Sequence, residues 1–130
     1  MNQPVVIEIP RFVLQTLNQL YDIERKVALH GDTGGVSRNI ERIKDAFSTE
    51  KLFYEDPMGQ EFSETRADLE ASIAGEGVDH LVVTEVIKPV IRYGDSSYSR
   101  VVQKGIVIVR SKVAELPQDS EQNNQSGEQA

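Results

Sequence analysis

The sequence predicts an α+β protein: a helical hairpin that pairs with a second copy of itself into a dimeric four-helix bundle, followed by a small all-β domain. Three observations carry this expectation. Between residues 10 and 50 apolar side chains recur at threes and fours, the spacing of helices with a wide apolar face. From residue 81 to 109 Val, Ile and Leu dominate two arms, LVVTEVIKPVIRY and RVVQKGIVIV, joined by a polar GDSSYS. Such β-branched side chains pack well on a pleated surface and poorly around a helix. After Lys112 the chain becomes AELPQDSEQNNQSGEQA, too poor in large apolar groups to repay the entropy of ordering. The predicted divisions are an extension at 1–9, a dimerising hairpin at 10–50, a β domain at 51–113 and a disordered acidic tail at 114–130.

VVIEI at residues 5–9 reads as a short strand, and Pro10 then suits the first turn of a helix, where its missing donor does no harm. Phe12, Val13, Leu14, Leu17, Leu20, Tyr21, Ile23 and Val27 follow at helical spacing, an arc wider than one neighbour needs. HGDTGG ends this helix. Ser37 or Asn39 is the expected cap of a second helix carrying Val36, Ile40, Ile43 and Phe47. Six acidic and six basic residues balance over the hairpin, so no net charge opposes self-pairing. The expected bundle seam is Leu14, Leu17, Tyr21, Ile40, Ile43 and Phe47.

Residues 51–54 and 71–74 are short strand candidates on either side of the DPMG turn and the core anchor Phe62. In the two long arms apolar residues fall on both parities, which predicts cover on both faces. Pro89 and Gly105 interrupt the arms and are expected to bend the ribbon.

A chain of 130 residues buries roughly two-thirds of its unfolded surface, enough for one domain or two small modules. The absence of cysteine excludes disulfides, thiolate catalysis and Cys-based zinc sites. A net charge of -7, from 21 acidic and 14 basic residues, argues against nucleic acid or anionic lipid as the main partner. No apolar run approaches the ~20 residues of a membrane span, and MNQPVVIEIP lacks the basic start of a signal peptide, so a cytoplasmic protein is expected.

Four stretches, NQLYDIERKV, GVSRNIERIKDAF, PMGQEF and VVTEVIKPVIRY…SRVVQKGIVIV, follow in that order within residues 14–112. Together they resemble the GrpE family of nucleotide exchange factors, the co-chaperones of DnaK-type heat-shock chaperones. The sequence departs from the family at Lys88-Pro89-Val90, at Val102-Gln103-Lys104-Gly105, in a longer 94–99 loop, in the missing histidine of SETRADLEA and in a nearly absent N-terminal stalk helix. The resemblance implies a homodimer whose β domain docks on the chaperone's nucleotide-binding domain and promotes ADP release. It implies chaperone contacts at Arg100, Lys88, Val86, Tyr93 and Val109, with no catalytic residue, cofactor or metal. The alternatives are a GrpE-like scaffold or adaptor that binds another protein and, more remotely, a small acidic-site hydrolase.

Read without the family, the chemistry is sparse. Glu64, Asp68 and Glu70 lie close enough in sequence for an acid/base pair, but a solvated acidic loop explains them better. His30 with Asp32, and His80 with Asp79, lack the spacing of a His-based zinc site. GDTGG has no strand-glycine-lysine pattern and reads as a helix connector. Arg100 and Lys88 equally suit strand-end cations that keep an edge soluble.

Overall fold

The computed structural model describes residues 8–112, so the tail expected at 114–130 and most of the 5–9 strand lie outside the described residues. Helix α1 (Arg11–His30) starts directly after Pro10, whose carbonyl accepts the Val13 N–H at 3.0 Å. It stops where Gly31 turns to φ 98°, a left-handed conformation open to glycine, and donates its N–H to Val27 O at 2.8 Å. A 3-10 turn (Thr33–Gly35) leads into α2 (Val36–Thr49). Neither Ser37 nor Asn39 caps α2 with its side chain. Instead the Asp32 carboxylate reaches forward to accept the Ser37 N–H at 2.9 Å, because the glycine-rich loop folds back over the first turn. That bond, with a further one to the Ser37 side chain, holds the Asp32 carboxyl below its usual range.

Six strands follow: β1 (Leu52–Glu55), β2 (Leu69–Ile73), β3 (Leu81–Lys88), β4 (Val90–Gly94), β5 (Ser99–Gln103) and β6 (Gly105–Ser111). They form two three-stranded sheets, ordered β1-β4-β5 and β2-β6-β3. Each long arm seen in the sequence is thus cut in two. The first breaks at Pro89, which has no N–H for a ladder, and the second at Lys104, one residue before the expected Gly105. The described chain divides accordingly into a first unit, 8–55 with Pro89–Gln103, and a second, Asp56–Lys88 with 104–112.

In the first unit Leu17 of α1 meets Leu52 of β1 and Ile91 of β4, with Val13, Leu14, Phe47, Tyr54, Tyr93 and Val102 packed around them. This corrects the expected fold. The two helices do not form the long hairpin of a four-helix bundle, and they are not a module separate from the strands. The wide apolar arc of α1 has two neighbours within its own chain, α2 and the β1-β4-β5 sheet. Leu17 is only 1% exposed, and Tyr21 and Ile40 are also buried, so half of the proposed seam is closed without a second chain. Of the remaining seam residues, Leu14 and Phe47 are half-buried against this core and Ile43 is exposed. Burial of each large apolar side chain contributes roughly 1.5–3 kcal/mol, which the sheet supplies in place of partner helices.

A reciprocal amide pair fastens α1 to β5. Asn18 Nδ2 donates to Gln103 Oε1 at 3.1 Å, and Gln103 Nε2 donates to Asn18 Oδ1 at 2.8 Å and to Pro89 O at 3.0 Å. Asn18→Ala removes both bonds between α1 and β5 from a half-buried amide and is expected to lower stability by about 1–2 kcal/mol in urea denaturation.

In the second unit β6 is central, parallel to β2 and antiparallel to β3. Leu69, Leu81, Val83, Val86, Val107 and Val109 are buried, and the buried Ser111 hydroxyl donates to Asp79 O. Cover on both faces was the expectation for β3. The register shifts after Val83 and after Val86 instead let residues of opposite parity, Val83 and Val86, both be buried, while Ile87 stays exposed. Among the described residues no helix is long and apolar enough to cross a membrane.

Candidate partner-binding surface

The loop joining β4 to β5 is the most sharply defined surface feature of the first unit. Gly94 sits at φ 140°, and a Cβ there would lie 2.3 Å from Tyr98 O, so only glycine closes this turn. Its N–H donates to Lys51 O at 2.8 Å, tying the loop to the residue before β1. Asp95 then organises the tip: its Oδ1 accepts the Ser97 Oγ–H at 2.7 Å, the Ser97 N–H at 2.9 Å and the Tyr98 N–H at 3.0 Å, while its own N–H donates to Tyr98 O at 2.9 Å. These donors, the Ser97 hydroxyl first, stabilise the carboxylate and hold its pKa below the usual range.

The result is an ordered loop that presents Tyr98 to solvent at 77% exposure. Arg100, also exposed, is the second residue of the edge strand β5, opposite Tyr93 of β4. Beside the loop lies a groove of about 380 Å³ lined by Ser48, Phe53, Gly94, Asp95 and Ser96. A large amphipathic ring with few rotatable bonds, on a loop already fixed, loses little entropy when a partner covers it. The Arg100 guanidinium, two residues further along the chain, adds a planar donor suited to a carboxylate.

The five contacts implied by the resemblance do not share one unit. Arg100 and the half-buried Tyr93 belong to the first. Lys88, exposed at the end of β3, belongs to the second, as do Val86 and Val109, whose side chains are enclosed in that unit's core. The acidic candidates do not converge either. Arg66 holds Asp68 in a fork at 3.0 and 2.9 Å, whereas Glu64 and Glu70 are exposed. The Asp32 carboxylate is engaged as a cap on the Ser37 N–H. Among the described residues no group of three His, Asp or Glu side chains is placed to hold a metal ion.

Two features escaped the sequence reading. Tyr98 lay inside a stretch read only as a polar loop, although an aspartate followed two residues later by serine is the signature of its turn. The other is a cluster where α1, α2 and β1 meet, and its members lie too far apart in sequence to give any local signal. Tyr54 Oη donates to Glu24 Oε1 at 2.5 Å, Lys44 Nζ binds Glu24 Oε2 at 3.1 Å and lies 5.2 Å from the Tyr54 ring centre, and Tyr21 meets that ring edge-on. Burial and then the bond to Glu24 push the Tyr54 hydroxyl well above the ordinary tyrosine value of 10.0. Since the folded pKa is the higher one, this stabilisation is complete below about pH 10 and is lost as pH rises further. A stability series across that range should fall, and Tyr54→Phe should flatten the fall.

No protein-family model, no curated protein and no solved structure matches this chain.

Proposed function

We propose that the protein is a cytoplasmic nucleotide exchange factor that binds the nucleotide-binding domain of a DnaK-type chaperone and promotes ADP release. The observation that carries the reading is the ordered β4–β5 loop, which sets exposed Tyr98 and Arg100 two residues apart on one hairpin. The order of the four GrpE-like stretches supports the choice of partner. Such a protein needs no reacting group. It accelerates release by binding the open form of the chaperone's cleft more tightly than the closed form, and it shifts the equilibrium only by that difference. A hundredfold acceleration requires about 2.7 kcal/mol of preferential binding to the releasing state.

The direct test is stopped-flow release of fluorescent ADP from the cognate chaperone. Acceleration that saturates with added protein is expected. A release rate unchanged at saturating protein, with binding intact, rejects exchange and leaves the adaptor reading.

A further inference from the structure

The second unit carries a surface of different character from the β4–β5 loop. Its edge strand β2 is paired on one side only, with β6. The ladder's end bonds, Gly105 N–H to Asp68 O and Ala74 N–H to Val109 O, both at 2.9 Å, fix its phase. In a parallel pair with that phase the backbone groups of residues 70 and 72 face β6, and those of Leu69, Ala71 and Ile73 face outward. Among the described residues nothing hydrogen-bonds to them from that side. An open edge of this kind is a template for another strand.

At the end of β2 lies a groove of about 350 Å³ whose apolar wall is Phe62, Ile73, Val78 and Leu81. Ile73 is 50% exposed and Val78 71%, so the wall is open to a side chain from outside. Glu64 and Asp79 line the same groove. The unit holds eight carboxylates against five Lys and Arg between residues 56–88 and 104–112, and one of those cations, Arg66, is committed to Asp68. Lys112 adjoins the groove through its N–H bond to His80 O, but the lining itself is acidic.

We propose that this unit captures an extended segment of a partner protein, alternating apolar residues with Lys or Arg, by strand addition to the outer edge of β2. Main-chain bonds to Leu69, Ala71 and Ile73 hold the segment, one apolar side chain enters the groove, and the cations face Glu64 and Asp79. This does not rest on the exchange reading, and no chaperone is needed to test it.

The test is an NMR titration of the full chain with a short peptide alternating Lys with Val and Ile, and with the same peptide carrying Glu in place of Lys. The Lys peptide should shift the amides of Leu69, Ala71, Ile73, Phe62 and Val78, and the Glu peptide should not. Ala71→Pro removes an outward N–H without touching the β6 ladder and should weaken binding about tenfold or more. Should that variant fail to fold, Val78→Ser, at an exposed loop position, should weaken binding several-fold alone. No binding, equal binding of both peptides, shifts confined to other residues, or affinity unchanged in Val78→Ser overturns the proposal.

Discussion

Leu17→Glu should unfold the first unit and not merely separate two chains. The side chain is 1% exposed and packs on Leu52 and Ile91, so a glutamate there loses roughly 2 kcal/mol of apolar burial. It also places a carboxylate among hydrocarbon without a partner, at a further cost of several kcal/mol or a large rise in its pKa. Against a stability of ~5–15 kcal/mol for a domain, the two together remove much or all of the margin. Circular dichroism should show lost helix at a temperature where the parent is folded. A variant that keeps the parent's melting curve and changes only its mass in light scattering would return Leu17 to a seam between chains.

Arg100→Ala and Tyr98→Ala should each lower affinity for the nucleotide-free chaperone by about 1–3 kcal/mol, if both side chains sit in the covered centre of the contact. Stability should change by ~0.5 kcal/mol or less, since both side chains are exposed and neither holds the Asp95 turn. Lys88→Ala should cost less affinity, being a flexible point charge in the other unit. Calorimetric titration of the three variants decides the matter. Equal and negligible losses leave Arg100 as a cation that protects an edge strand.

The helices and most strands were legible because their signals are local. The threes-and-fours spacing from Phe12 to Val27, the glycines after His30 and the Val-rich arms each lie within a few turns or pleats. What covers a helix face is not local. The arc containing Leu17 and Tyr21 suits a sheet as well as partner helices, and the β4 residue Ile91, which completes the core, lies 74 positions after Leu17. The register of β3 was hidden for a related reason: bulges reverse the meaning of parity, so an alternation argument reads two buried faces where one is buried. At the candidate site Arg100 was suggested by the family resemblance, its position in the arm alone implying only a strand-end cation, while Tyr98 depended on a carboxylate turn whose geometry composition does not display.

The crossing of both hairpin arms between the sheets also governs the order in which the protein can be made. The second unit is built from 56–88 and 104–112, and the segment that completes the first unit, Pro89–Gln103, lies between them in sequence. A nascent chain emerging from its N-terminus therefore displays α1, α2 and β1 long before the strands that cover Leu17 and Leu52 have been synthesised. The first sheet closes only when β5 is out, and the central strand of the second sheet arrives in the next few residues. The two units thus become able to fold almost together, once β6 has been made, and neither can be expressed by cutting the chain once.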